Sequence, residues 1–291
     1  MNKKTILLYG RTRSGKSTLI GELAEAVYAR MGKKTLLYTS DRGGFDPILP
    51  YIQLGIIETC EMASTDPWMF SRHSSSGDVK VDGKWAKLDL SKYGLVAFES
   101  MTSLADSLMV NLAERSAAGE SFGGAANVSF KAEENGEVLK IGGANMAHYN
   151  IVQSRVTADV WASQKLDVPY VLWTANVSKD EDAVGSTKVL GPEVVGKKLT
   201  SEVPRWFNLT FRLDCTPAAA GKPEQHILFL GNSQDLQAGN AISLGNTRTP
   251  LDSTPLATSI KPASLVKALD MIEEKQGEAL AKIRTRMGMK G

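Results

Sequence analysis

The stretch GRTRSGKSTLI, residues 10–20, decides how the rest of the chain is read. Gly10, Gly15, Lys16 and Ser17 meet the spacing G-x-x-x-x-G-K-[ST]. In that spacing a tight loop of backbone N–H groups folds around a phosphate at the start of a helix. The flanks agree. TILLY, residues 5–9, is short, apolar and β-prone, and it stands between Lys3–Lys4 and Gly10. It predicts a strand buried on both faces. After the loop, Leu19, Ile20, Leu23, Val27 and Met31 recur at helical spacing, with Arg30 in the last turn and Gly32 as the C′ residue. Strand, glycine loop and helix follow one another as phosphate binding requires. The chemistry assigns Lys16 to the β/γ-phosphates and the Ser17 hydroxyl to Mg²⁺. The backbone amides from Arg13 through Ser14, Gly15 and Thr18 take the phosphate oxygens.

The chain has 291 residues, enough for one large α/β domain with decorations. A net charge of +2 does not by itself argue for nucleic acid. Cys60 and Cys215 make no disulfide framework, and the histidines, His73, His148 and His226, are scattered, so no zinc pattern arises. The start, MNKKTILLYG, has no leader-like apolar region, and no run approaches a membrane span. The expectation is a non-membrane protein of a reducing cytoplasm.

Outward from the loop, KKTLLYTSD (33–41) and YGLVAFES (93–100) read as further buried strands, and DVPYVLWTAN (167–176) as another. VKVDGKWAKLDL (79–90) carries Asp82–Gly83 between alternating runs and predicts a hairpin inserted at the sheet edge. Leu104, Leu108 and Leu112 mark a helix, and 148–166 reads as another. Residues 116–147, rich in Gly, Ala, Ser and Asn, read as a loosely folded excursion, and 178–205 and 232–259 as loops. WFNLTFRLD and EQHILFLG read as late antiparallel strands. Residues 261–291 form a C-terminal helix and basic tail, with Leu265, Leu269, Ile272, Leu280, Ile283 and Met287 on one stripe and Lys282, Arg284, Arg286 and Lys290 as possible phosphate contacts. The predicted fold is α/β: a mostly parallel central sheet over residues 1–260, flanked by helices, with antiparallel strands at one edge.

A phosphate loop that hydrolyses nucleotide needs a second-strand carboxylate near Mg²⁺, which Glu99 supplies. Asp41, at the tip of the second strand, is the candidate to polarise water. Asn176, at the tip of the VLWTAN strand, is the candidate γ-phosphate sensor. The segment beyond it carries Lys188, Lys197, Lys198 and Arg205, interleaved with acids, and is a candidate to touch nucleic acid or a neighbour's nucleotide.

GRTRSGKST, YTSDRGG, LVAFES, and LWTAN followed by GPEVVGKKLTSEVPRWFNLTFRL together resemble the RecA-like P-loop ATPases of bacteriophages, a group related to RecA-like single-strand annealing recombinases. The resemblance runs in order through about residues 3–260. It implies a RecA core that binds ATP and Mg²⁺ through Lys16 and Ser17. Glu99 takes the Walker B place, Asp41 the place of the catalytic carboxylate and Asn176 the sensor place. Residues 177–200 stand where such proteins carry a DNA-binding loop. It further implies action on single-stranded DNA, a homo-oligomer, and work beside phage recombination or replication proteins. The hairpin at 79–90 and the Gly-rich excursion exceed a minimal core of that kind. A protein of another class remains open: one whose assembly or docking is gated by bound nucleotide, with slow turnover and no DNA contact. A GTPase is disfavoured, since ESMT stands where D-x-x-G would follow and NVSKD where N-K-x-D would.

Overall fold

The computed structural model describes residues 3–39, 46–61, 78–81, 84–122, 128–134, 137–179, 190–216, 225–230 and 259–288. The run before the glycine loop forms β1, Lys4–Gly10, with every residue buried. Helix α1, Lys16–Met31, follows, and Gly32 closes it in the left-handed conformation with its N–H on the Tyr28 carbonyl. Then come β2 (Lys34–Thr39), a short α2 (Leu49–Gln53) and β3 (Ile57–Glu61). A ribbon of β4 (Asp78–Val81) and β5 (Lys84–Lys87) precedes β6 (Tyr93–Glu99) and α3 (Met101–Ala117). A second ribbon, β7 (Val128–Glu134) with β8 (Glu137–Gly143), leads to α4 (Met146–Ser163) and β9 (Tyr170–Lys179). The chain ends through β10 (Leu190–Pro192), α5 (Lys197–Glu202), β11 (Leu209–Thr216), β12 (Gln225–Phe229), β13 (Ser259–Ile260) and α6 (Leu265–Arg286).

The main sheet runs β13-β12-β11-β1-β9-β6-β2-β3, with β10 beside β9. From β11 through β3 all neighbours are parallel. Among the described strands, only β12 and β10 run against the sheet. The α/β class, the mostly parallel sheet and the antiparallel edge are as the sequence predicts.

Alternate residues of the central strands feed two cores. Leu7, Tyr9, Tyr38, Phe98 and Trp173 face α3 and α4. Ile6, Leu8, Leu37, Ala97, Leu172 and Phe211 face α1 and α6. Burial on both sides is why these strands read as unbroken apolar runs. Tyr38, Phe98 and Trp173 stack in a row across β2, β6 and β9, with ring centroids 5.1 and 4.4 Å apart. The row lies just below the strand tips that bear Glu99 and Asn176.

Several expectations need correction. Leu209–Thr216 is parallel to β1, not antiparallel, because the chain returns through α5 and crosses over before pairing. The loosely folded excursion read at 116–147 holds regular structure in its described residues: α3 runs to Ala117, and β7 pairs with β8. The alternation in VSFKAEE and EVLKIGG carries that ribbon. The stretch 178–205 holds β10, α5 and a 3₁₀ turn, Val203–Trp206, rather than only loop. The 79–90 hairpin exists as β4–β5 but forms its own two-stranded sheet. Strand β3, in a stretch for which the sequence yields no prediction, extends the main sheet.

Helix α6 packs on α1. Glu22 on α1 accepts the Ser264 hydroxyl at 2.5 Å and the Leu265 N–H at 2.8 Å, capping the start of α6. Arg30 forks onto Asp270 at 2.8 and 2.9 Å, and Lys4 pairs with Glu273 at 3.1 Å. Leu265, Leu269 and Ile272 of the predicted stripe are buried, while Leu280, Ile283 and Met287 are exposed. The buried residue in that last portion is Ala279, on a different bearing.

Candidate functional site

The carboxyl-terminal ends of β1, β6 and β9 open into one cleft of about 710 Å³. Thr12, Arg13, Gly15, Lys16, Ser17 and Thr18 line it from the glycine loop, Glu99, Ser100 and Ser103 from the end of β6 and the start of α3, and Asn176 from β9.

The loop geometry is set by its glycines and by one strained residue. In β1, Gly10 pairs with Asn176 on one side and Leu213 on the other. A Cβ at Gly10 would lie 2.3 Å from the Leu213 carbonyl oxygen and 2.8 Å from Ser14 Oγ, so only glycine fits. Gly15 is glycine for its backbone, with φ at 96°. Arg13 also has positive φ, 62°, a conformation that costs a non-glycine residue energy and is held only where surroundings enforce it. The Ser14 N–H closes the loop onto the Arg11 carbonyl at 3.1 Å. Ser14 Oγ is buried and finds no hydrogen-bond partner.

No side chain caps α1 at Gly15. The leading N–H groups of a helix have no partner within it, so this uncapped end presents donors and the positive end of the helix dipole to the cleft.

Lys16, on the first turn of α1, is buried. Its ammonium donates to the Gly10 carbonyl at 3.1 Å, the Arg11 carbonyl at 2.9 Å and Asn176 Oδ1 at 3.1 Å. The Ser17 hydroxyl donates to Glu99 Oε1 at 2.5 Å. Glu99 is itself buried at the last position of β6. Lys16, Ser17, Glu99 and Asn176, predicted from separate segments, therefore meet. Asp41 and Lys188 lie outside the described residues. Lys197 and Lys198 open α5, and Arg205 lies exposed in the 3₁₀ turn after it, outside the cleft lining. Among the described residues no group of three or more His, Cys, Asp or Glu that could hold a metal lies together. Mg²⁺ does not demand one, since it commonly takes one or two protein oxygens and completes its shell with water and phosphate.

Three participants escaped the sequence. His226 on β12 lines the cleft, and its Nδ1–H donates to the Ser14 carbonyl at 2.7 Å, bracing the loop from the sheet edge. Only the pairing of β12 with β11 brings it there. Thr102, one residue into α3, accepts the Asn176 N–H at 2.9 Å and donates to the Glu193 carbonyl at 2.7 Å. Glu193 gives its own N–H to the Asn176 carbonyl at 2.7 Å. Burial and the nearby Asp106 carboxyl push the Glu193 carboxyl up, against the opposing influence of Asn176 and the Lys16 charge. Burial likewise raises Asp106.

No protein-family model matches the chain, and no curated protein matches it. Among the described residues no helix is long and apolar enough to cross a membrane.

Proposed function

We propose that the cleft binds ATP with Mg²⁺ and that the protein is an ATPase. The observation that carries this reading is the 2.5 Å bond from Ser17 to Glu99, which joins the first turn of α1 to the end of β6 across 82 residues of sequence. A hydroxyl and a carboxylate held together beside a lysine at an uncapped helix start are the donor set for a phosphate-bound Mg²⁺. The fit extends to the loop, which is closed to any residue but glycine at Gly10 and leaves Ser14 Oγ without a partner. Ser17 and Glu99 would hold the ion, Glu99 directly or through water. The ion, when bound, neutralises charge on the phosphates and orients them.

The residues of the chain have separable tasks. Backbone N–H groups at residue 13 and residues 15–18 hold the phosphate oxygens, the Ser14 N–H being used to close the loop, and Gly15 with Arg13 sets their direction. Lys16, already enclosed by three oxygen acceptors, exchanges them for phosphate oxygens without crossing bulk water. Asn176 stands beside Lys16 and marks the place of the terminal phosphate. His226 keeps the loop in shape through Ser14.

The wider role in this proposal is action on single-stranded DNA in phage recombination or replication, by a homo-oligomer. The segment 190–206 supports it: its backbone is tied to Asn176 through Glu193, its sequence includes Lys197 and Lys198, and its Arg205 is exposed. Steady-state ATP hydrolysis, with and without single-stranded DNA and at two salt concentrations, tests both levels. Turnover that DNA stimulates and salt suppresses is expected, because phosphate contacts release counterions. Turnover indifferent to DNA, with none retained, favours the nucleotide-gated docking protein. Lys16→Ala is expected to lower ATP affinity at least tenfold, the loss of one charge-assisted phosphate contact of about 1.5–3 kcal/mol. Unchanged affinity would refute the site.

A further inference from the structure

We infer that Thr102 is the positioning residue that holds Asn176 at the place of the terminal phosphate and ties the segment 190–206 to it, so that cleft and segment change together. The inference rests on the ATPase reading and deepens it. Its ground is the backbone of β9. The pairing of β9 with β6 runs as far as Trp173 with Phe98, and after Glu99 the chain turns into α3. The pairing of β9 with β10 begins at Val177, opposite Pro192. Asn176 falls between the two.

A side chain closes that join. The Asn176 N–H goes to the Thr102 hydroxyl at 2.9 Å, and the hydroxyl passes its own hydrogen to the Glu193 carbonyl at 2.7 Å. The Glu193 N–H returns to the Asn176 carbonyl at 2.7 Å. The three bonds form a closed ring. An amide N–H only donates and a carbonyl only accepts, so the ring needs a group that does both, which a hydroxyl is. Thr102 is buried and outside the cleft lining, so it acts through Asn176 and not on a ligand. It rides on the first turn of α3, which Ser100 caps by accepting the Ser103 N–H at 3.1 Å. That turn follows directly on Glu99. The ring therefore joins the acid end of the cleft, the amide beside Lys16 and the start of the segment.

The ring matters when nucleotide enters. Phosphate oxygens compete for the Lys16 ammonium, which in the empty cleft also holds Asn176 Oδ1 at 3.1 Å. Asn176 then answers to the terminal phosphate, and any shift of its backbone reaches Glu193 through two bonds, one direct and one by way of Thr102. ADP lacks that phosphate and leaves the ring as it is. Valine at 102 keeps the shape of threonine but removes both bonds of the hydroxyl. The segment keeps its ladder from Leu190 to Pro192 and the bond from Gln153 to the Val195 carbonyl at 3.1 Å, so it stays attached while the join to Asn176 slackens.

The test uses the full chain, the variants Thr102→Val and Thr102→Ser, and the probes Mg²⁺·ADP and Mg²⁺·AMP-PNP. Melting curves establish folding, titration gives both affinities, and amide hydrogen exchange follows residues 190–206. In the wild type, AMP-PNP should slow exchange in that segment relative to ADP. Thr102→Val should bind ADP within about twofold of wild type and AMP-PNP about fivefold more weakly, the loss of one hydrogen bond, and its segment should exchange alike with either nucleotide. Thr102→Ser should restore both the affinity and the difference in exchange. Equal losses for the two nucleotides in Thr102→Val, or an exchange difference that survives in it, would overturn the role. The wild type alone decides the matter if Thr102→Val does not fold: nucleotide bound with no difference in exchange between the two probes overturns the coupling and leaves the nucleotide site standing. A wild type that binds neither probe overturns both.

Discussion

Gly10→Ala is the sharpest test of how the loop is built. Gly10 is the last residue of β1, paired with β9 on one side and β11 on the other. The added methyl would lie 2.3 Å from the Leu213 carbonyl oxygen and 2.8 Å from Ser14 Oγ. Ordinary contact needs about 3.5 Å, so β1 and β11 must separate by roughly 1 Å at this point. Both strands are locked in ladders, and neither yields cheaply. Overpacking of that kind costs about 3 kcal/mol. At about 2–4 °C per kcal/mol for a domain of this class, the melting temperature should fall by roughly 6–12 °C. Gly32→Ala is the control. Gly32 has φ of 64° and nothing within 4 Å of a new Cβ, so only left-handed strain acts there. That strain costs about 1 kcal/mol, or roughly 2–4 °C. The Gly10 carbonyl also anchors Lys16 at 3.1 Å, so Gly10→Ala should weaken nucleotide binding while Gly32→Ala should not. Differential scanning fluorimetry and nucleotide titration of both variants read this out. A Gly10→Ala protein that melts no lower than Gly32→Ala would refute the packing of β11 against the loop.

Glu99→Gln should bind Mg²⁺·ATP within about threefold of wild type and hydrolyse it at least about a hundredfold more slowly, measured by titration and steady-state turnover. Glu22→Ala should destabilise the protein by about 1–2 kcal/mol in urea denaturation, since it leaves the Leu265 N–H at the start of α6 without its carboxylate and frees the Ser264 hydroxyl that the carboxylate holds. His148 is wholly buried, with Nδ1 accepting the Asn145 N–H at 3.2 Å and Nε2 against Ser116 Oγ at 2.8 Å, and burial holds its pKa below the usual 6.5. The unfolded imidazole gains its proton first as pH falls, so stability is full above about 6.5 and declines below it toward the folded pKa. His148→Gln should flatten that part of a stability-against-pH curve, and an unchanged slope would show that another group sets it.

The glycine loop, its strand and its helix were legible because three local signals coincide: fixed spacing, an apolar run and helical periodicity. Glu99 was legible because a lone acid ends an otherwise apolar strand. The parallel direction of β11 was not, since pairing direction depends on the crossover through α5, and a run such as LTFRLD has the same alternation in either sense. Strand β3 was missed because IETCE is half polar. Its Glu58 carries a bond from Lys34 at 2.5 Å and another from the Tyr93 hydroxyl at 2.5 Å, which suits a sheet edge and not an apolar pattern. Glu193 and His226 were invisible for a different reason. Each meets the cleft through a neighbour brought by topology, Asn176 for Glu193 and Ser14 for His226, and their own surroundings in sequence, GPEVVG and EQHILF, carry no catalytic spacing.

Strand order explains why Ser17 and Glu99 touch at all. Neighbouring strands lie about 4.8 Å apart, and β9 stands between β1 and β6, so the tips of β1 and β6 are separated by roughly 10 Å. A helix that rose straight above β1 would leave Ser17 short of Glu99. But α1 connects β1 to β2, and both β9 and β6 lie between those strands. The helix must therefore cross over the intervening pair, and Leu19, Ile20, Leu23 and Val27 bury themselves in a core shared with Leu172 of β9 and Leu95 and Ala97 of β6. Its first turn is carried sideways across the tip of β9, which puts Lys16 on Asn176 and Ser17 on Glu99. The insertion of β9 thus does two things with one strand: it tilts the helix start into the crevice, and it supplies the residue that stands between the lysine and the acid.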